Sequence, residues 1–273
     1  MIPSAFDYAR ADSAENAIDL LSQHGDDAKL LAGGHSLLPL MKLRLAEPSV
    51  LIDIGRLSDL SYIREDGDRI AIGALTRHAD VQRNDVLKTG CQIVAHTAGE
   101  VGDPQVRHRG TIGGSVAHGD PASDLPTVFL ALDAEFVIRG PESERTAAAR
   151  DFFSGLFEVD LRPTELLTEI RVPKTTGGWS YQKFHHRAQD WAIVGVAAVT
   201  TNGGANVALT NMGESPMRAS AVEAALSSGA DAATAAQEAD KETSPPSDPF
   251  GSAEYRRHLA KVLTRRALQE ASA

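Results

Sequence analysis

Two glycine pairs constrain the fold more than any other feature of this sequence. The stretch Gly110 to Pro126, GTIGGSVAHGDPASDLP, sets Gly113-Gly114 beside Thr111 and ahead of Asp124, with few apolar residues between them. It reads as an ordered loop. Without Cβ atoms, Gly113 and Gly114 allow positive φ, so that several backbone N–H groups can turn toward one point and form a concave anion site. Thr111 adds a hydroxyl donor, and Asp124 can either accept from a ribose hydroxyl or cap the helix that follows. A lone glycine pair, by contrast, marks an ordinary turn followed by an N-cap.

The pattern recurs near the N-terminus. Lys29 to Ala32 is a short apolar run of strand character, followed at once by Gly33-Gly34-His35-Ser36 and then by the helical LLPLMKLRL. Two such segments, each with a hydroxyl side chain, can hold the two phosphates of one dinucleotide between them. Neither matches G-x-G-x-x-G or G-x-x-x-x-G-K-[ST], so a Rossmann or Walker site is not expected. Ser36 in G-H-S-L-L has only the first half of a nucleophile elbow, which argues against a hydrolase.

Four segments together carry a resemblance. AGGHSLLPLMKLRLAEP from Ala32, TIGGSVAHGDPASDLP from Thr111, ELLTEIRVP from Glu165 and YQKFHHRAQDWAIVGVAA from Tyr181 make the chain similar to the FAD-binding medium subunits of the molybdenum hydroxylases. That family includes xanthine dehydrogenase and aerobic carbon monoxide dehydrogenase. The resemblance spans nearly the whole chain and implies an α+β fold: a two-lobed FAD-binding domain of the vanillyl-alcohol-oxidase-like type, then a smaller C-terminal domain of antiparallel sheet and helices. Position by position, it implies that Ala32, Gly33, Gly34, His35 and Ser36 form one pyrophosphate segment. Thr111, Ile112, Gly113, Gly114 and Ser115 form the other. Asp124 matches a carboxylate that contacts the cofactor, Leu166 an apolar and backbone contact near the isoalloxazine, and Lys183 a basic residue at the flavin end. For Leu166 and Lys183 the resemblance is the sole ground, since a lysine at a loop is ordinarily just solvated.

The resemblance also implies partners. A large molybdopterin subunit would oxidise the substrate, a small subunit with [2Fe-2S] clusters would carry electrons to the flavin, and an external acceptor would remove them, in a dimer of heterotrimers. No acid–base pair for substrate oxidation stands out in this chain. The rival readings are a self-contained flavin oxidase linked covalently at His35, as in berberine-bridge-type enzymes, and a non-redox nucleotide-binding module.

Composition agrees. At 273 residues one core tends to split into two, and the expected division falls at Thr175 to Gly178. This gives a FAD-binding part over 1–174, with lobes of about 1–55 and 56–174, and a C-terminal part over 178–273. The formal charge of −10 argues against nucleic acid and anionic membranes. The single cysteine, Cys91, forms no internal disulfide and leaves no cluster to hold zinc or iron–sulfur. His78, His96, His108, His118, His185 and His186 lack the spacing and companions of a zinc site. Some relatives insert a cysteine loop for an extra cluster, and this chain has none. Without a signal peptide or an 18-residue apolar run, the cytoplasm is expected.

Local patterns supply the elements. Ser13 caps a helix that Gly25 ends; Val50 to Ile54 is a strand; Asp66-Gly67 turns a hairpin. Thr76 to Leu87 is expected as an exposed helix capped at Thr76, and Gln92 to Val101 as a buried one. Leu125 to Leu132 and Glu135 to Ile138 then complete alternating elements around a mixed sheet. Lys183 is expected on an irregular strand, and Ala192 to Thr200 with Ala205 to Asn211 as a hairpin. Ala219 to Leu226 and Ser252 to Leu268 are helical, with Glu242 to Phe250 a constrained loop. Arg256-Arg257 and Arg265-Arg266 are expected on a solvated face.

Overall fold

The computed structural model describes residues 2–273, and three sheets organise it. The first is parallel, with Val50–Asp53 between Asp7–Arg10 and Ala28–Leu31. The helix Ala14–His24 covers it because Ala17, Ile18 and Leu21 recur on one face. The Ser13 hydroxyl accepts from Asn16 N at 3.0 Å, and Gly25, at φ +56°, ends the helix. This lobe delivers Ala32 to Ser36 from the end of its edge strand.

The second sheet is antiparallel, in the order Ile63–Asp66, Arg69–Gly73, Leu166–Pro173, Glu135–Arg139, Glu144–Ala148. The mixed sheet expected from sequence is therefore two sheets, one of each kind. What local patterning could not show is that Leu166–Pro173 returns from far along the chain to sit at the centre. Ile70, Ile72, Phe136 and Ile170 pack against helices His78–Arg83, Gln92–Glu100 and Asp124–Ala131. Phe136 meets Phe152 edge-on, ring centroids 4.7 Å apart.

The third sheet joins Trp179–Phe184, Val194–Thr201, Gly204–Thr210 and Met217–Arg218, all antiparallel. Its central strand alternates between two cores. Val194, Val196 and Ala198 face the last helix, Ala253–Ala271, while Ala197 and Val199 face the core of the second sheet. Burial on both faces explains the unbroken apolar run. Lys183 thus lies on a regular strand rather than an irregular one.

Other expectations change. Thr76 to Leu87 is two helices, His78–Arg83 and Asp85–Gly90, because the Asn84 side chain accepts from Leu87 N at 3.2 Å and starts the second. Thr76 caps neither; its hydroxyl exchanges hydrogen bonds with the backbone of Tyr62. Gly110 to Pro126 holds the helix Ile112–His118 and the start of Asp124–Ala131, so it is more than a loop. Arg256 is 1% exposed, donating to Ile193 O and the Asp248 carboxylate instead of facing water. Among the described residues no helix is long and apolar enough to cross a membrane, and no three metal-ligating side chains cluster.

Candidate cofactor site

The two glycine segments meet. A Cβ on Gly33 would lie 2.3 Å from Arg109 O and 2.8 Å from Gly110 Cα, so the first segment rests directly on the backbone leading into the second. The cleft beside them has a volume of about 1010 Å³, at the upper end of the range of about 300–1,000 Å³ for small-molecule sites. Ala32 to Ser36 enter from the parallel sheet and Thr111, Gly113, Gly114 and Ser115 from the following lobe. Asp124, Leu166 and Lys183 complete the set. Ile112 is the exception: it is fully buried in the core, with its amide bonded to Thr76 O, and does not line the cleft.

The segments offer different chemistry. Among the described residues, the amides of Gly33, Gly34, His35, Ser36 and Leu37 donate to no protein acceptor. Five consecutive free N–H groups on partly exposed residues beside a cleft are open to donate to an anion bound there. Gly34 reaches this conformation at φ +76°.

The second segment is already satisfied. Gly113 N donates to Ala74 O at 2.8 Å, Gly114 N to Thr111 Oγ1 at 3.2 Å and Ser115 N to Thr111 O at 3.1 Å. Gly113 and Gly114 are helical, not left-handed. Glycine is needed at 113 because a Cβ would meet Ala74 Cβ at 2.5 Å. The expected nest of amides is thus absent there, and the segment presents the hydroxyls of Thr111 and Ser115.

Beyond the glycines lies a buried ionic cluster. Lys183 Nζ donates to Asp124 Oδ2 at 2.9 Å and to Glu100 O at 3.0 Å, and Tyr181 donates its hydroxyl to Asp124 Oδ1 at 2.6 Å. Lys183 is therefore no surface lysine: its side chain is 4% exposed. Asp124 is the first residue of its helix rather than the cap, which is Ser123. Burial raises the Asp124 pKa against the downward pull of Lys183 and the Tyr181 hydrogen bond. Tyr181 and Trp191 were not singled out in the sequence, and His78 was weighed there only as a metal ligand. Trp191 lies in the fourth family-like segment and lines the cleft at 59% exposure.

Glu165, 5% exposed, forms part of the wall. Arg145 grips it with two hydrogen bonds, Nε to Oε1 at 2.9 Å and Nη2 to Oε2 at 2.8 Å. Arg145 also holds the preceding turn through the Asp160 side chain and carbonyl. The Arg145 hydrogen bonds outweigh burial and lower the Glu165 pKa from its ordinary 4.5. This contribution to stability is therefore present above pH 4.5 and is lost as pH falls through the depressed value. Arg145→Met should cost about 2 kcal/mol at neutral pH. Urea unfolding at a series of pH values should show the gap to wild type closing in acid; a constant gap would refute the assignment.

The chain matches known families along its length. Residues 4–175 match the FAD-binding domain in molybdopterin dehydrogenase, and residues 179–271 match the C-terminal domain of the CO dehydrogenase flavoprotein. The carbon monoxide dehydrogenase medium chain of Afipia carboxidovorans is 42% identical over 286 residues, covering 100% of this chain and 99% of its own. The glyceraldehyde dehydrogenase medium chain of Sulfolobus acidocaldarius is 38% identical, covering 99% of each chain. Among solved structures, carbon monoxide dehydrogenase from Hydrogenophaga pseudoflava lacking the Mo-pyranopterin moiety superposes with a TM-score of 0.95. It is 42% identical, covering 99% of this chain and 98% of that one. With both matched segments in order and the glycine segments converging on one cleft, the chain belongs to the FAD-binding medium subunits of the molybdenum hydroxylase family, and is an oxidoreductase component.

Proposed function

We propose that this chain binds one FAD in the cleft and passes electrons from the [2Fe-2S] clusters of a small subunit to an external acceptor. A large molybdopterin subunit oxidises the substrate, and the assembly is a cytoplasmic dimer of heterotrimers. The observation that carries the FAD placement is the row of free amides from Gly33 to Leu37 beside a cleft of dinucleotide size. The pyrophosphate, an acceptor-only anion, would take hydrogen bonds from these amides and from the Thr111 and Ser115 hydroxyls. Leu166 would supply apolar contact, and the Asp124 and Lys183 pair would border the flavin end. Bound flavin supplies exchange between one-electron and two-electron carriers, while the protein supplies binding and orientation.

The subunit role is supported by the relatives, which share this architecture although their names pair it with carbon monoxide in one case and glyceraldehyde in another. Substrate choice on a separate large subunit accounts for that. The division into a FAD-binding part over 1–174, in two lobes, and a C-terminal part over 178–273 belongs to the same reading.

The test is a fluorescence titration of the full chain with FAD followed by acid precipitation. One FAD per chain and a colourless pellet are expected, because the cofactor is held by hydrogen bonds alone. A yellow pellet would instead indicate a bond to His35 and the oxidase reading, and no uptake would refute the cofactor.

A further inference from the structure

We infer that His78 is a positioning residue for the cofactor: it holds the Ser115 hydroxyl as a donor toward the pyrophosphate of FAD. The inference rests on the FAD reading of the cleft.

His78 is 2% exposed and lies behind the second glycine segment, with its amide bonded to Gly110 O at 3.1 Å. Gly110 leaves room for the ring, since a Cβ there would meet His78 Cδ2 at 3.0 Å. Nε2 lies 3.2 Å from Ser115 Oγ, whereas Nδ1 is buried without any hydrogen-bond partner among the described residues. Burial, then the nearby charges of Arg107 and His35, lowers the ring pKa to about 4. The ring is neutral at pH 7 and has two tautomers open to it.

They differ in what they leave for a ligand. With the proton on Nδ1, a buried N–H has no acceptor, and the Ser115 proton is used on Nε2. With the proton on Nε2, the ring donates to Ser115 Oγ, only a lone pair is left unpaired, and the hydroxyl proton is free. Orphaned buried N–H groups are rarer than under-used acceptors, so the second arrangement is favoured. Thr111 follows the same logic: its oxygen accepts from Gly114 N, and its proton remains available. Both hydroxyls are thereby kept as donors, which suits an anion.

Two measurements test this on the full chain. Nitrogen-15 NMR of labelled histidine should show His78 protonated at Nε2 and bare at Nδ1 at pH 7; the reverse tautomer overturns the inference with or without cofactor. Ser115→Ala should weaken FAD binding about tenfold and shift the phosphorus-31 resonances of the bound pyrophosphate. His78→Leu should match it, the double variant should be no worse than either, and His78→Gln, which restores an N–H donor, should stay within about threefold of wild type. Wild-type affinity in His78→Leu, or unmoved phosphorus signals in Ser115→Ala, would overturn the inference. If His78→Leu fails to fold, the tautomer and Ser115→Ala still decide. Failure of the wild-type chain to take up FAD would instead remove the cofactor reading.

Discussion

Gly33→Ala should raise the FAD dissociation constant at least about a hundredfold, because roughly 1 Å of misplacement in a preorganised site suffices for a loss of that size. The added Cβ would meet Arg109 O at 2.3 Å, Gly110 Cα at 2.8 Å and Arg109 C at 2.9 Å. All three are backbone atoms and cannot rotate aside. Relief comes only by parting the first glycine segment from the second, which moves the free amides away from the Thr111 and Ser115 hydroxyls. Gly67→Ala is the control: Gly67 turns a hairpin at φ +61° with nothing within 4 Å of a new Cβ. It should lose about 1 kcal/mol of stability with unchanged FAD affinity. Titration with FAD beside thermal unfolding separates the two effects. Unchanged FAD binding by Gly33→Ala would break the claim that both segments grip one cofactor.

What the sequence made legible was local. Ser13 and Gly25 bracket the helix Ala14–His24, and Asn202-Gly203 turns between Val194–Thr201 and Gly204–Thr210. Such signals need only neighbours in the chain. The site needed more, because what Gly113 provides is fixed by Ala74, nearly forty positions earlier, and what Gly33 provides by Arg109. Residue type alone suggested positive φ and free amides at both pairs; hydrogen-bond bookkeeping places free amides at only one. Of the residues the resemblance named, all but Ile112 line one cleft, and the Ile112 side chain turns to the core instead. Arg256 was readable after all. It lies three residues before Leu259 and seven before Leu263, on the apolar face of the last helix, so its charge required a counter-charge reaching it from outside the helix. Asp248, from the proline-rich loop, is that partner.

Lys183→Met should be the most destabilising single change, costing about 3–5 kcal/mol at pH 7, because it leaves the Asp124 carboxylate buried without its counter-charge. The pair joins the helix Asp124–Ala131 of the FAD-binding match to the strand Trp179–Phe184 of the C-terminal match, so the loss falls on the contact between them. Its pH dependence has a definite sign. Burial raises the Asp124 pKa above its ordinary 3.8, so its contribution to stability is full below that value and is lost as pH rises through the folded one. Lys183 is the largest influence holding that pKa down. Its removal raises the pKa further and extends the loss, so the deficit of the variant should shrink as pH is lowered from 7 toward 4. Asp124→Leu combined with Lys183→Met should recover part of the stability, since an apolar pair strands no charge although the Tyr181 hydroxyl loses its acceptor. Urea unfolding followed by the fluorescence of Trp179 and Trp191 measures all three. A deficit below about 1 kcal/mol for Lys183→Met would be that of a solvated surface pair, and the role of this pair in joining the two parts would have to be given up.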